Sequence, residues 1–370
     1  MFRVTGSLRD SSARRGCLST AHGTVDTPAF MPIATAGSVK AMTPGLLEEA
    51  GAQIILGNTY HLFLRPGLEV IRGFSGLHRF MSWDKPILTD SGGFQIFSLQ
   101  GNTRVDESGV RFKSHIDGTT FSLTPEQVVD IQFALGSDIQ MVLDTFPGLP
   151  AGREETLRSL TITHGWAGRA RARFLEGKPR TQQFGIVQGG LFEDLRAQSL
   201  AALKQLEFEG YAIGGLSVGE SRTDFRRIIA SLLPEMPPDR PRYLMGSGTP
   251  EEILFAVDRG VDMFDCVLPT RNARNGTLFT SRGKLSIKNE RYKRDERPLD
   301  PGCRCATCRR FSRAYLRHLY MSKEISAAVL HTVHNLHFYL DFMGKIRYAI
   351  EQSNFTAFKE QFLSLYKQGV

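Results

Sequence analysis

Eight short, apolar, β-rich runs recur along the chain about every 20 to 50 residues: around Ala29, Ile54 to Leu56, Ile87 to Leu88, Ile139 to Leu143, Phe184 to Val187, Tyr211 to Ile213, Tyr243 to Leu244 and Met263 to Phe264. Such runs read as strands buried on both faces, as in a parallel sheet covered by helices. Helix-patterned stretches lie between several of them, and eight such units close into a (β/α)8 barrel of the TIM type. An open, doubly wound sheet is the alternative. Thr124-Pro125-Glu126-Gln127 and Thr249-Pro250-Glu251-Glu252 each offer a capping Thr, a Pro at the first helical position and Gln or Glu three residues after the cap, so each should open a helix. From Arg291 to Leu340 basic residues, cysteines and histidines concentrate. The expected organisation is therefore a barrel over residues 1–290, an insertion over 291–340 and a last barrel helix within 341–370.

Barrel active sites lie at the carboxyl ends of the strands, so the polar residues just after each run are informative. They are Asn58, Asp90, Asp144, Gln188, Gly214 and Gly215, Met245 and Gly246, and Asp265. Ionised carboxylates are expensive to bury without partners, and three of them converging on one face point to chemistry. A cap on the following helix is the structural alternative for Asp144 taken alone. Two carboxylates flanking a glycosidic bond suit displacement at a sugar carbon, one attacking and the other moving a proton.

Glycines mark where something flat can approach the backbone: Asp90-Ser91-Gly92-Gly93-Phe94-Gln95 and Gly214-Gly215-Leu216 both lie just past strands. Phe94 and Met245 are placed to sandwich a planar base, although such residues beside strands are often core. Gly246-Ser247-Gly248-Thr249 leads into a capped helix, where free N–H groups and the helix dipole favour an anion, or where the chain makes a plain strand-to-helix turn.

Of five cysteines, Cys303, Cys305 and Cys308 crowd into six residues, and His334 follows within His331-Thr332-Val333-His334-Asn335-Leu336-His337. Three thiolates and one imidazole make a closed tetrahedral shell for structural Zn²⁺, with His331 and His337 as competitors for the fourth position. A closed shell leaves the chemistry to the carboxylates.

Composition is that of an ordinary globular chain, 41% hydrophobic and 23% charged. An excess of 46 Lys and Arg over 38 Asp and Glu, a formal +8, leans modestly toward a nucleic-acid partner. No apolar run approaches a membrane span and the start lacks a secretory apolar block, so a cytoplasmic protein is expected.

Taken together, Gly57-Asn58-Thr59-Tyr60-His61-Leu62, Asp90-Ser91-Gly92-Gly93-Phe94-Gln95, Ile186-Val187-Gln188-Gly189-Gly190, Gly214-Gly215-Leu216, Leu244-Met245-Gly246, Phe264-Asp265-Cys266-Val267-Leu268-Pro269-Thr270-Arg271 and the Cys303, Cys305, Cys308, His334 set resemble the tRNA-guanine transglycosylases, also called queuine tRNA-ribosyltransferases. The resemblance runs nearly end to end. It implies exchange of the wobble guanine of GUN anticodons for a 7-deazaguanine through a ribosyl-Asp265 intermediate, with Asp90 as general acid/base. It further implies that Asp144, Gln188 and the Gly215 backbone bind the base edge while Phe94 and Met245 stack on its faces. Thr270, Arg271, Asn272, Ala273 and Arg274 would grip the anticodon, with Gly246, Ser247, Gly248, Thr249, Pro250, Glu251 and Glu252 as a second RNA contact. A homodimer with the zinc subdomain at its interface is also implied. One departure stands out: the bacterial pattern continues Glu-Cys-Thr-Pro after the pocket Asp, whereas Asp144 is followed by Thr145-Phe146-Pro147, which leaves queuine and preQ1 both open as the incoming base. A noncatalytic zinc RNA-binding subunit and a carbohydrate-processing barrel are the competing readings.

Overall fold

The computed structural model describes residues 1–99, 103–177 and 179–369. Its centre is a parallel barrel of eight strands, Ala29–Ala34 interrupted at Pro32, Ile55–Gly57, Ile87–Thr89, Ile139–Met141, Gln182–Val187, Gly210–Ile213, Arg242–Leu244 and Met263–Asp265. Closure happens at the interrupted strand. Ala29–Met31 pairs with the eighth strand, while Ile33–Ala34 pairs with the second. Pro32 has no N–H to give a ladder, and its carbonyl accepts from the Leu56 N–H at 3.0 Å. Almost every strand residue is buried, which is why the runs are continuously apolar rather than alternating.

Both expected helix starts are present as capping boxes. Thr124 caps Pro125–Leu135 and exchanges hydrogen bonds with Gln127, and Thr249 caps Pro250–Asp258 and exchanges them with Glu252. These caps fix where the chain leaves the strand ending at Leu123 and the seventh barrel strand, respectively, and so where the flanking loops point.

Two further sheets surround the barrel. An antiparallel sheet of Phe2–Ser7, Arg14–Thr20 and Gly23–Thr27 is fastened to the N-terminal ends of the strands. There Arg14 pairs with buried Asp262, and buried Asp138 accepts from the His22 and Ile87 N–H groups and contacts both imidazoles of His22 and His78. A second sheet, Arg104–Asp106, Gly109–Lys113 and Thr120–Leu123, intervenes between the third and fourth barrel strands.

After the eighth strand, the helix Leu268–Arg274 leads to a hairpin, Thr277–Thr280 and Gly283–Ser286. A small separate core of Leu278, Leu285, Ile287, Tyr292, Leu299, Cys305, Cys308 and Leu316 begins at this hairpin, upstream of residue 291. The 27-residue helix Ile325–Glu351 runs unbroken past residue 340: its first half covers the small core, and Tyr339, Phe342, Met343 and Ile346 join the main barrel core. One rigid helix thus ties the cysteine-bearing unit to the barrel. No helix among the described residues is long and apolar enough to cross a membrane.

Candidate active site and metal cluster

The strand ends deliver three carboxylates to one cleft. Asp90 directly follows the third strand, and its carboxylate accepts from Asn58 Nδ2 at 2.5 Å, the Thr59 N–H at 2.8 Å and Gln95 Nε2 at 2.8 Å. Burial nevertheless pushes its pKa up to about 6, and the charge of Asp265 adds to the rise against these three hydrogen bonds. Asp265 ends the eighth strand, where Oδ1 accepts from Tyr243 OH at 2.6 Å and from the Gly246 N–H at 2.8 Å. Its acidity is also weakened by burial, with these two donors opposing the effect. Asp144 is pushed up to about 6, again first by burial and then by the charge of Asp90, while Gln188 opposes the shift. Asp90 thus feels the charge of Asp265, and Asp144 that of Asp90, which separated helix caps would not. Asp144 caps no helix, since the next one begins only at Arg153.

The glycines bring the loops into contact. A Cβ at Gly93 would lie 2.9 Å from the Asp144 carbonyl and 3.2 Å from its Oδ1, so the Asp90 loop can close on Asp144 only with glycine there. Gln188 Nε2 donates to Asp144 Oδ2 at 2.7 Å. The same amide lies across Gly214 and Gly215, where added Cβ atoms would fall 2.5 Å from Nε2 and Oε1, and Gly215 has φ +64°. Gln188 Oε1 is buried and has no hydrogen-bond partner among the described residues. Asp144, Gln188 and the Gly214–Gly215 backbone thus form one polar wall, with Ser91 and Leu216 buried beside it.

Phe94 is 52% exposed, unlike a core residue, and stacks on Phe146 with ring centroids 6.3 Å apart and planes 14° from parallel. Phe146 also contacts Phe97, and the loop bearing it is pinned where Thr163 Oγ1 bonds both the N–H and the carbonyl of Thr145. Met245 is half-buried after the seventh strand and packs against the main core.

Of the two readings of Gly246–Thr249, an anion site or a plain strand-to-helix turn, the local bonding favours the turn. Glu252 bonds the Thr249 N–H and Ser247 Oγ, the Glu252 N–H goes to Thr249 Oγ1, and the Gly246 N–H is committed to Asp265. Ser247 and Gly248 are buried, and Glu251 and Glu252 place two carboxylates in the first helical turn. The capping box has taken the Thr249 and Glu252 N–H groups, and the two carboxylates oppose an anion at this terminus. Gly246 itself is exposed. In the next helix Arg271 and Arg274 are exposed, Asn272 is partly so, and Thr270 and Ala273 are buried.

Cys303, Cys305, Cys308 and His334 converge into a candidate metal site. Their Sγ atoms lie 3.7, 3.7 and 3.2 Å from His334 Nδ1. A tetrahedral zinc with Zn–S of about 2.3 Å and Zn–N of about 2.0–2.1 Å sets these separations near ~3.5 Å, so the donors fit that ion. His334 Nε2 lies 2.7 Å from the Phe279 carbonyl, a contact that makes it the N–H and leaves Nδ1 facing the thiols. His331 is turned away, with Nδ1 on the Ala273 carbonyl. His337 approaches only Cys303, at 3.6 Å.

His22, His78 and Asp138 form a second cluster of ligand-type residues. The two imidazoles are stacked 3.5 Å apart and 17° from parallel, and each spends a ring nitrogen on a different oxygen of Asp138, at 2.9 and 3.2 Å. This is a hydrogen-bond arrangement that fastens the N-terminal sheet.

Two buried residues of the site are inconspicuous in the sequence. Tyr243 sits inside an apolar run yet holds Asp265. Arg196, on the helix Glu193–Lys204, donates to the carbonyls of Val187, Gly190 and Gly214 and so clamps two of the strand-end loops. Only their position one strand or one helix away from a motif residue could have drawn attention to them.

The pattern of the family described as Queuine tRNA-ribosyltransferase matches residues 10–368. Relatives bearing that description include one from Azoarcus sp. (strain BH72), 54% identical over 354 residues that cover 96% of each chain. Another from Aromatoleum aromaticum is 55% identical over 95% of each chain, and one from Solidesulfovibrio magneticus is 54% identical over 97% of this chain and 96% of its own.

Proposed function

The chain belongs to the queuine tRNA-ribosyltransferase family, and from that membership we propose that it exchanges the wobble guanine of GUN-anticodon tRNAs for a 7-deazaguanine in queuosine modification. The observation that carries the reading is that two buried acids, Asp90 and Asp265, reach one cleft from the ends of the third and eighth strands, near enough for the charge of Asp265 to add to the raised pKa of Asp90.

Asp265 attacks the anomeric carbon of the ribose as the glycosidic bond breaks, and Tyr243 and the Gly246 N–H orient the attacking carboxylate. The leaving guanine takes a proton from Asp90. The incoming base returns that proton to Asp90, attacks the same carbon and releases Asp265. An acid near pKa 6 suits both directions of this transfer. Asp144, Gln188 and the Gly214–Gly215 backbone bind the base edge, a role supported by the unpartnered Gln188 Oε1, with Ser91, Gly92, Gly93 and Leu216 shaping the surround. Phe94 and Met245 stack on the base faces. Arg271 and Arg274, with Thr270, Asn272 and Ala273, hold the anticodon, and Gly246–Glu252, of which Gly246 is exposed, make a second RNA contact.

Cys303, Cys305, Cys308 and His334 would hold a structural Zn²⁺, which when bound cross-links the small unit to the long helix. A homodimer through that unit is supported by its exposed apolar residues Tyr315, Met321 and Ile325, the last 84% accessible. The protein acts in the cytoplasm, where tRNA is found.

Incubation with unmodified tRNA and labelled guanine tests the reading: label should enter the tRNA. Folded protein that incorporates none, yet turns over a small glycoside, would instead favour the carbohydrate-processing alternative. Competition between queuine and preQ1 for insertion identifies the base that the Phe146 pocket prefers.

A further inference from the structure

The positive charge of the chain is concentrated in one stretch. Residues 282 to 313 carry eleven Lys and Arg against four Asp and Glu, a surplus of seven in a chain whose total is +8. Within it, a cleft of about 500 Å³ opens between the hairpin turn at Thr280–Arg282 and the loop spanning residues 295–302, with Arg291, Arg297 and Arg313 on its walls.

Both acids of the cleft are engaged by the protein. Asp295 is bound by Arg297 at 2.7 and 2.8 Å and by Arg313 at 3.2 Å. Asp300 accepts from the Ser281 N–H and Oγ and from the Gly302 N–H. Four guanidiniums against two carboxylates leave the lining net positive. Arg291 lies on the Tyr292 ring at 4.7 Å and donates to its hydroxyl at 2.6 Å, while Arg313 lies 5.4 Å from the same ring centroid, so part of the lining is ordered in advance. Arg282 stands exposed at the turn. Ordered guanidiniums in a concave, net-positive site of this size match one phosphodiester and its sugar.

The cleft is separate from the strand-end site. The strand Thr277–Thr280 carries the chain on the order of 10 Å from the helix bearing Arg271 and Arg274 to the turn bearing Arg282. We propose that this cleft is a second RNA subsite, which holds a backbone phosphate of the tRNA outside its anticodon loop. The inference rests on the reading of the chain as a tRNA-acting enzyme and adds a contact that no motif residue supplies.

The test compares wild-type protein with the Arg282→Glu/Arg291→Glu double variant and with Arg282→Ala, measuring affinity for full-length tRNA and for an isolated anticodon stem-loop at several salt concentrations. The double variant should bind full-length tRNA roughly tenfold more weakly at low salt and flatten the log K against log salt slope by about 2. Arg282→Ala should flatten it by about half as much. Stem-loop affinity and guanine exchange into the stem-loop should stay within about twofold, which also shows the variants are folded. Unchanged affinity and slope on full-length tRNA would overturn the proposal, as would an equal loss on both RNAs. Absence of exchange by the wild-type protein would sink the proposed function instead, and the affinity comparison would still decide the cleft.

Discussion

Tyr243 donates its hydroxyl proton to Asp265 Oδ1 at 2.6 Å, from the strand next to the one that ends in Asp265. Burial and the adjacent carboxylate hold the phenol far above its ordinary acidity range, so it remains a donor at any working pH. Together with the Gly246 N–H, it stabilises the ionised form of a carboxylate that burial would otherwise neutralise.

Tyr243→Phe removes that donor while keeping the ring. A hydrogen bond to a charged group contributes about 1.5–3 kcal/mol, so adduct formation should slow by roughly 10- to 100-fold with little change in tRNA affinity. Single-turnover kinetics give this directly; an unchanged rate would mean that the Gly246 N–H alone orients the carboxylate.

Asp90→Asn should lower exchange by about 10² to 10⁴-fold, the range for loss of general acid/base catalysis. In the proposed mechanism, base departure requires protonated Asp90. Its single-turnover rate should therefore fall as pH rises through about 6, while base arrival, which requires ionised Asp90, should fall as pH drops through the same value. A departure rate that is flat between pH 5 and 8 would assign proton transfer to another group.

The raised pKa of Asp144 is also a stability statement. Its folded pKa of about 6 lies above the ordinary unfolded value of about 3.9. Its contribution to stability is therefore fully present below about pH 4 and is lost as pH rises through about 6. Asp144→Asn cannot ionise, so it should be more stable than wild type at pH 7, by at most about 3 kcal/mol, and not at pH 4. Denaturant titrations at the two pH values check this, and base affinity should fall in the same variant.

Metal analysis of the purified protein should find about one zinc per chain, and Cys308→Ser should lose it. Because binding of a structural zinc is on the order of 10 kcal/mol of folding free energy, chelation should lower the thermal midpoint and release the hairpin and the loop that follows it to proteolysis. Protein with all four ligands intact, no metal and an unaltered midpoint would contradict the assignment.

The barrel was legible because each strand is buried on both faces, which writes its position into the sequence as an unbroken apolar run. Asp90, Asp144 and Asp265 were legible for the converse reason: a charge immediately after such a run has few structural uses. Tyr243 was hidden by the same rule, since a Tyr within an apolar run reads as core. The N-terminal sheet was hidden because its first strand is exposed at four of six positions and carries no apolar pattern. At Thr249 two readings compete, and the sequence contains the residue that favours the turn, Glu252, whose side chain takes the Thr249 N–H and the Ser247 hydroxyl. His331, His334 and His337 recur every three residues on one helix, and only the rotamers and the Phe279 carbonyl separate the one that faces all three thiols from the others.

In the proposed mechanism Asp265 carries the tRNA during exchange. Labelled tRNA mixed with protein, then denatured and separated by size, should migrate with the wild-type chain, and peptide mapping should place the ribose on Asp265. Asp265→Asn should show no such species, and exchange should fall on the order of 10³-fold or more. An adduct that persists in Asp265→Asn, or that maps to a different residue, would contradict the account.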